Sequence, residues 1–544
     1  MPEGNTPAPA QPETLSRADK LNTRAAGVVG LAVLCSRVLG LAREQIFAAL
    51  FGGGRVMDAF TIAFRIPNLL RDLFAEGALS TAFVTVFTRT ATLQDGAAAW
   101  RLANKVATLT VVTLSAITVL GIVSAPWLVA LLAPGFDPAK AALTVTLTRI
   151  MWPFILLVSL AALVMGMLNA RSVFGVPAMA SSFFNLGSIV AGVVLGYWLD
   201  PHFGPRAILG LAIGTLIGGA LQLLVQLPTL RREGYRYRPD LRWSDPGVRA
   251  ILRLMGPSVI AASTTQVNVL VNSVFASKLG DGPTFWLTVA FRLMQLPLGI
   301  FGVALGTVAL PLLARMAATG NTAAFRSELA HGMRLAFLMT IPASIGLIVL
   351  AEPIISVLYQ HGRFTAYETA ESAGALRFYA IGLCGYAALK VLVNAFYALD
   401  RRKTPMVVSF IAVALNLLLN WVFTRELGWG HRGLAFSTAC VASSNFLILY
   451  LLMRAQLGRL ESGAMLTLLA KVALASAALF AVSFVGGRLL LADWAVQPFW
   501  PKCASLVLVI STSAAAFFIC ASALGISEVH DMVAALRRRL RRAA

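Results

Sequence analysis

Arginines inside apolar segments are the residues of this sequence best suited to bind a charged substrate. Arg37 and Arg43 lie in the apolar run 27–52, Arg71 lies in the next run, and Arg292 lies in a later one. A charge at the centre of a bilayer costs about 2.5–3.5 kcal/mol on insertion scales, so it normally faces a bundle interior or a water-filled cavity. The planar guanidinium stays charged and binds two oxygens at once, which suits a phosphate group. These arginines therefore predict a cationic cavity that binds an anion.

Four acids lie close in sequence to these arginines, although acids are few in the apolar segments. They are Glu44, Asp58, Asp72 and Glu76. Such carboxylates can pair with the arginines when no substrate is bound, or they can form a gate. The alternative is a set of static ion pairs that makes membrane insertion tolerable, and the sequence leaves both interpretations open. We therefore treat Glu44, Asp58 and Glu76 as candidate gating or counter-ion residues.

The segments that carry these residues are predicted to be membrane-spanning helices. The hydrophobic fraction is 58% and the charged fraction 13%, whereas a soluble domain usually has about 25% charged residues. Apolar runs of about 20 residues, enough for a transmembrane helix, recur along the chain. The predicted spans are 27–52, 58–86, 106–132, 141–168, 177–199, 207–229, 249–278, 285–314, 329–351, 372–398, 406–424, 433–453, 465–487 and 503–524. The sequence thus predicts an all-α multi-pass membrane protein with about fourteen transmembrane helices.

The positive charges follow a regular topology. The formal net charge is +21, and a basic balance can indicate nucleic-acid binding. Most of the excess lies in alternate connections and at both termini, including 17–24, 231–242 and 537–542, which is the positive-inside pattern. We therefore predict a protein of the cytoplasmic (inner) membrane with both termini in the cytoplasm, whose basic segments contact anionic lipid and not nucleic acid.

A weak internal repeat divides the chain. Residues 78–81 match 304–307, 226 positions later, and residues 47–54 match 275–282, 228 positions later. Chance similarity between apolar stretches is the alternative. An even number of spans separates the copies, which indicates a parallel repeat of the kind that places substrate between two rocking halves. The predicted organisation is a disordered cytoplasmic segment 1–24, an N-lobe 25–230 (helices 1–6), a basic cytoplasmic linker 231–248, a C-lobe 249–456 (helices 7–12), helices 13–14 with a lipid-tail groove at 457–526, and a basic cytoplasmic tail 527–544.

Enzyme signatures are absent from the sequence. It has no P-loop, HExxH or GxSxG motif, its five histidines are dispersed, and its five cysteines form no CxxC. A membrane glycosyl- or phosphotransferase would need acidic or His-rich cytoplasmic loops to hold Mg²⁺, whereas these loops are basic. We therefore predict a transporter without covalent catalysis.

Several motifs, densest near the N-terminus, carry a resemblance to a known family. They are Ser36–Glu44 (SRVLGLARE), Asp58–Phe60 (DAF), Pro67–Arg71 (PNLLR), Phe74–Ala78 (FAEGA), Gly302–Thr307 (GVALGT) and His361–Thr365 (HGRFT). Over about residues 27–525 the chain resembles the MurJ/MviN lipid II flippases of the multidrug/oligosaccharidyl-lipid/polysaccharide exporter superfamily. The resemblance implies fourteen helices in two lobes and transfer of lipid-linked peptidoglycan precursor from the inner to the outer leaflet for cell-wall synthesis.

The same resemblance assigns expected roles to individual residues. It implies that a diphosphate head group binds to the four arginines, that Asp58 matches an important acidic position, and that Glu76 matches an acid near the cytoplasmic gate. It also implies that the last two helices hold the undecaprenyl tail. The expected partners are lipid II (the undecaprenyl-diphosphate-linked disaccharide peptide) and the phospholipid bilayer, with cell-wall synthesis proteins as further candidates. The expected substrate-binding residues are Arg37, Arg43, Arg71 and Arg292.

Some members of the family bind Na⁺ through two aspartates between helices seven, eleven and twelve. The matching positions here are Asn272, Asn416 and Asn420, with Thr438 nearby. Amides and hydroxyls can bind Na⁺, but a hard cation prefers carboxylates. We therefore expect no cofactor, at most a weak Na⁺ site at these four residues, and cycling driven by the membrane potential.

Two other transport functions remain as alternatives. A flippase for another polyprenyl-diphosphate-linked oligosaccharide would also need a basic cavity, so only the family motifs separate it from a lipid II flippase. An ion-coupled antiporter of the same superfamily that exports cationic drugs would need acids in the cavity, and the arginines oppose this.

Overall fold

The computed structural model describes residues 12–72, 79–492, 497–530 and 532, and every regular element in these residues is helical. The helices are α1 (Pro12–Phe51), α2 (Arg55–Leu70), α3 (Ser80–Leu93), α4 (Gly96–Leu132), α5 (Pro138–Met151), α6 (Phe154–Ala170), α7 (Gly175–Leu199), α8 (Ile208–Leu224), α9 (Leu227–Arg232), α10 (Pro246–Ser277), α11 (Pro283–Pro297), α12 (Val303–Ala318), α13 (Thr322–Val349), α14 (Ala351–Tyr359), α15 (Ala366–Ile381), α16 (Leu383–Ala398), α17 (Lys403–Trp421), α18 (Gly430–Leu457), α19 (Ser462–Leu490) and α20 (Phe499–Ala523). Short π-helical turns follow α11 and α17, at Leu298–Gly302 and Val422–Glu426.

The helices confirm the prediction of an all-α multi-pass membrane protein. Within the described residues, ten helical segments are long and apolar enough to span a membrane, and the bent pair α15–α16 raises this number to eleven. The predicted spans 27–52, 58–86 and 249–278 correspond to α1, to α2 with α3, and to α10, none of which is among the ten. The count of fourteen therefore stays a prediction.

Several predicted spans are divided where proline or glycine interrupts the helix. The span 141–168 is divided into α5 and α6 at Pro153, which has no backbone N–H to continue the hydrogen-bond ladder. The span 372–398 is divided at Gly382, where a side chain would lie 2.6 Å from the Cα atom of Ala439. At the N-terminus, α1 begins at Pro12, inside the segment 1–24 that the sequence predicts to be disordered. Proline is favourable at the first position of a helix.

The described residues pack into two compact units. Unit 1 takes its residues from Met1–Phe47, Ala63–Pro126 and Leu143–Ala262, and unit 2 from Ala48–Ile62, Trp127–Ala142 and Ser263–Ala544. Unit 2 therefore includes the corner between α1 and α2 and the corner between α4 and α5. These units are defined by packing and not by repetition, so the predicted domain boundaries stay a prediction. Residues 1–11, Glu76 and most of the predicted tail 527–544 lie outside the described residues.

In unit 1, helices α7 and α8 pack with their backbones in contact. A Cβ atom at Gly214 would lie 2.5 Å from the Cα atom of Gly192, and one at Gly210 would lie 2.3 Å from the backbone nitrogen of Gly196. The spacing of four residues between these glycines of α8 predicts such close packing. It creates a rigid helix pair on which α1 can position its arginine.

Candidate functional site

Arg43 is the most buried of the predicted substrate-binding arginines in unit 1. It lies on α1 and is 9% exposed. Its Cζ atom lies 5.0 Å from the ring centroid of Phe184 and 5.9 Å from that of Phe64. Two aromatic faces attract a desolvated guanidinium and hold its plane in place. The structure therefore places Arg43 as a buried cation against two aromatic rings, where its attraction for an anion is stronger than in water.

The contact between α1 and α7 positions this arginine. Asn185 of α7 donates from Nδ2 to the carbonyl oxygen of Ser36 at 3.1 Å. Gly40 makes the approach possible, because its missing side chain leaves room for the Asn185 amide, 3.5 Å from where a Cβ atom would lie. The motif around Arg43 thus combines a small residue for helix contact with a charge one turn later.

The other three predicted arginines have different surroundings. Arg37 is exposed on α1, as expected for a residue six positions from buried Arg43, about 240° away around the helix. Arg71 is part-buried and donates to Oδ1 of Asp72 from NH2 at 3.0 Å and from Nε at 3.3 Å. Arg292 is half-buried on α11 in unit 2. The binding of one diphosphate by all four arginines stays a prediction.

Asp58 has the best-defined surroundings of the predicted gating residues. It lies in the first turn of α2 and is 0% exposed. Its Oδ2 accepts from the backbone N–H of Gly282 at 2.7 Å, and its Oδ1 accepts from the N–H of Phe285 at 2.9 Å. Gly282 is the N-cap of α11 and Phe285 lies in its first turn, and the helix dipole favours a negative charge at this end. Asp58 therefore joins the start of α2 to the start of α11.

Lys140, in the first turn of α5, is the cation that pairs with this buried acid. Its Nζ donates to Oδ2 of Asp58 at 2.9 Å, to Oδ1 of Asp281 at 2.7 Å and to the carbonyl oxygen of Gly280 at 3.4 Å. The side chain is 1% exposed and lies 4.0 Å from the ring centroid of Phe136. The three acceptors match the three protons of an ammonium group. Lys140 thus completes a network that involves three helix corners.

Arg55 and Asp137 form the solvent-facing side of the same network. Arg55 pairs with Asp137 and, through NH1, with Oδ2 of Asp281 at 3.7 Å. The hydrogen bond from Arg55 is the main reason why the pKa of Asp137 falls from its usual 3.8 to about 2. We refer to Arg55, Asp58, Asp137, Lys140 and Asp281, all in unit 2, as the Asp58 cluster.

Backbone contacts surround the Asp58 cluster. A Cβ atom at Gly135 would lie 2.4 Å from the carbonyl oxygen of Ser277, and the Gly135 N–H donates to Ser277 Oγ at 3.2 Å. Gly362 has φ +57°, and a Cβ atom there would lie 2.3 Å from the carbonyl oxygen of Ala49. The corners α1–α2, α4–α5, α10–α11 and α14–α15 therefore meet backbone to backbone, which makes a tight closure at this end of unit 2.

Sequence reasoning did not identify Lys140, Asp137 or Asp281 as part of a site. Lys140 is separated from Asp58 by 82 positions and from Asp281 by 141, so no local motif includes these residues. A signal was nevertheless present. The connections that contain these residues carry few charges, and those charges are of both signs. Of the other predicted gating residues, Glu44 is half-buried on α1, and Glu76 lies outside the described residues.

The residues of the predicted Na⁺ site do lie together in unit 2. Nδ2 of Asn420 donates to Oδ1 of Asn272 at 2.7 Å and to Oδ1 of Asn416 at 3.2 Å. Nδ2 of Asn272 donates to Oγ1 of Thr438 at 3.1 Å. The NH₂ group of Asn420 thus lies against the Oδ1 atoms of both Asn272 and Asn416, whereas its own Oδ1 is buried and has no hydrogen-bond partner among the described residues. The set supplies no carboxylate, which a hard cation prefers, and Na⁺ binding by these four residues stays a prediction.

A groove in unit 2 lies where a lipid tail is predicted. Its volume is about 320 Å³, and its lining is almost entirely apolar. Helices α13, α19 and α20 contribute most of the lining, including Leu338, Leu479, Ala514 and Phe517. A hydrogen bond of 2.8 Å between Ser483 and Ser513 joins α19 to α20. The groove has the character required for an aliphatic chain.

Comparisons with known proteins identify the family to which this chain is similar. The family model for lipid II flippase MurJ matches residues 47–509. The lipid II flippase MurJ of Burkholderia cenocepacia is 37% identical over 427 residues, which cover 77% of this chain and 81% of the relative. A solved lipid II flippase MurJ in an inward closed conformation matches with a TM-score of 0.73 and 25% identity, over 90% of this chain and 98% of that chain.

A more distant structural match shows the fold alone. It is the inward-facing conformation of a multidrug resistance MATE family transporter of the MOP superfamily, with a TM-score of 0.66 and 15% identity over 78% of this chain and 96% of that chain. The family model covers most of the chain, and its range includes the motifs around Asp58 and Arg71. The chain is therefore a member of the MurJ lipid II flippase family and an integral membrane protein.

Proposed function

We propose that this protein transfers lipid II from the inner to the outer leaflet of the cytoplasmic membrane by alternating access. The observation that carries the proposal is membership of the MurJ family over residues 47–509. The buried guanidinium of Arg43 supports it, because a fixed cation in a low-dielectric setting stabilises a diphosphate. Arg37, Arg71 and Arg292 bind the same head group in this proposal, and no covalent bond is made or broken.

The Asp58 cluster acts as the outer gate in this proposal. With both termini in the cytoplasm, α1 runs outward and ends at the outer surface, so the four corners close the outer side. Release of the head group requires these corners to separate, which breaks the contacts of Lys140 with Asp58 and Asp281. The cost of separating buried charges keeps the gate closed until binding of the substrate offsets it.

The groove between α13, α19 and α20 binds the prenyl tail while the head group crosses. Its apolar lining suits a hydrocarbon chain, so the tail stays in an apolar environment throughout the transfer. Na⁺ has no role in this proposal, because the four residues of the predicted site include no carboxylate, which a hard cation prefers. The membrane potential is then the remaining driving force.

Depletion of the protein in growing cells tests the proposal directly. We expect lipid II to accumulate in the inner leaflet while the cells lose shape and lyse, and re-expression of the wild-type chain should reverse both effects. Accumulation of a different prenyl-linked oligosaccharide would favour the related flippase function. An unchanged distribution of lipid II between the two leaflets would exclude the proposed lipid II flippase function.

A further inference from the structure

Unit 1 contains a pocket that has no role in the proposed function. Its volume is about 730 Å³, within the range of about 300–1,000 Å³ found for sites that bind small organic ligands. Aliphatic side chains from α4, α6 and α8 form its interior, among them Val111, Leu163, Met167 and Leu223. Such an interior suits a hydrocarbon chain.

The rim of this pocket is basic. Arg231 and Arg236 contribute to the lining, together with Tyr235 and Tyr237, and both arginines are exposed. The acids of the same segment are paired with other cations, in the ion pairs Glu233–Arg171, Asp240–Arg242 and Asp245–Lys105. Within the described part of the chain, neither rim guanidinium has an ion-pair partner. Two guanidinium groups are therefore available to an anion at the mouth of an apolar pocket.

Hydrogen bonds to α4 fix the rim. Asn104 donates from Nδ2 to the carbonyl oxygen of Arg236 at 3.3 Å and accepts from the N–H of Arg238 at 3.2 Å. Thr108 accepts from the N–H of Asp240 at 3.2 Å, and its hydroxyl lies 3.1 Å from that of Tyr237. Asn104 and Thr108 are both buried. The segment that carries Arg236 is thus held in place before any ligand binds, which lowers the entropic cost of binding.

We propose that this pocket binds an anionic glycerophospholipid, with an acyl chain in the aliphatic interior and the phosphate on Arg231 and Arg236. The fork of a guanidinium group binds two phosphate oxygens, and basic segments at the membrane surface attract anionic lipids. Free phosphate would leave the apolar lining without a ligand. The pocket belongs to unit 1, whereas the groove assigned to the prenyl tail belongs to unit 2, so this lipid is distinct from the transported one.

Native mass spectrometry of the purified full-length protein tests the proposal. The protein is titrated with dioleoyl phosphatidylglycerol and, separately, with dioleoyl phosphatidylcholine. We expect the anionic lipid to bind roughly tenfold more tightly. Replacing both rim arginines (R231A/R236A) removes the phosphate contacts, and Val111→Phe fills the interior. Each change should weaken phosphatidylglycerol binding by roughly tenfold, and inorganic phosphate should not displace the lipid.

The double variant R232A/R238A is the matched control, because it removes the same charge from the same segment without altering the lining. It should bind phosphatidylglycerol like the wild type. Equal loss in both double variants would overturn the proposal in favour of a nonspecific basic surface. Unchanged binding in Val111→Phe would also overturn it. If that variant does not fold, Leu223→Phe fills the same interior from α8 and is judged by the same criterion.

Discussion

Lys140 Nζ lies 2.9 Å from Oδ2 of Asp58, and neither side chain is more than 1% exposed. This ion pair joins the start of α5 to the start of α2, and Asp58 continues the connection to the first turn of α11. Burying an ion pair costs desolvation free energy, and removing only one of its two charges is strongly destabilising because the other charge is left buried and unpaired. The pair is therefore better suited to select between two conformations than to add net stability.

Replacing Lys140 by Met should destabilise the protein by about 3–5 kcal/mol, because it leaves Asp58 charged and buried without its ammonium partner. Thermal unfolding in detergent measures this change. Lys278→Met removes an exposed lysine from the neighbouring corner and should have little effect. The double variant Asp58→Asn with Lys140→Met should be more stable than Lys140→Met alone. Equal unfolding temperatures for the two single lysine variants would argue against a buried pair.

The same substitution should loosen the closure if the cluster is a gate. Ser277 is 1% exposed at the α4–α5 and α10–α11 contact, so a cysteine placed there reports on opening. In cells, a membrane-impermeant maleimide should label Ser277→Cys slowly in the wild-type background and faster with Lys140→Met. Equal labelling rates in the two backgrounds would show that the Asp58 cluster does not act as a gate.

Arg43→Ala should abolish the ability of the protein to support growth while leaving it inserted in the membrane. Arg43→Lys should retain only part of the wild-type activity, because an ammonium group cannot donate two parallel hydrogen bonds to a diphosphate. Complementation of a depletion strain measures both effects. Arg101→Ala, at an exposed position of α4, is the control and should grow normally. Full growth with Arg43→Ala would exclude Arg43 from substrate binding.

Replacing NaCl by choline chloride should not change the thermal stability or the transport rate of the wild-type protein. Asn420→Asp removes the central amide donor and adds a carboxylate beside the oxygens of Asn272 and Asn416, which then suit a hard cation. That variant should acquire stabilisation that depends on Na⁺. Stabilisation of the wild type by Na⁺ and not by choline would show that the amide network does bind the ion.

Filling the tail groove should affect long-chain substrates selectively. Ala514 lines the groove and its neighbour Ala515 is exposed outside it, so Ala514→Trp and Ala515→Trp form a matched pair. We expect Ala514→Trp to slow transfer of lipid II with a full-length tail and to spare an analogue with a short chain. The same slowing in Ala515→Trp, or none in either variant, would place the tail elsewhere.

Acid should weaken the solvent-facing part of the Asp58 cluster. Because the pKa of Asp137 is lowered to about 2 from 3.8, its pairing with Arg55 contributes stability above about pH 4, and this contribution is lost as pH falls towards 2. The unfolding temperature of the wild type should therefore fall more steeply than that of Asp137→Asn over this interval. Parallel curves would contradict the pairing.

The sequence predicts the helical, multi-pass character of the protein well, because apolar runs of spanning length have few other interpretations. It also identifies Arg43 and Asp58, whose charges are unusual within apolar segments. It does not separate exposed Arg37 from buried Arg43, since this depends on which face of α1 packs against α7. The sequence does not identify Lys140 either, again because its role depends on tertiary packing. Its role comes from contacts with residues 82 and 141 positions away, which only tertiary structure brings together.

Transfer of lipid II by the purified protein is measured in lipid vesicles that carry an imposed membrane potential, negative inside. Fluorescent lipid II is incorporated symmetrically, and an enzyme that cannot cross the membrane modifies only the molecules in the outer leaflet. Wild-type protein should make nearly all of the lipid II accessible, whereas vesicles with Arg43→Ala should retain about half in the protected leaflet, as protein-free vesicles do. Equal accessibility in the wild-type and Arg43→Ala vesicles would exclude Arg43 from substrate binding, and no transfer by the wild type would exclude the proposed function.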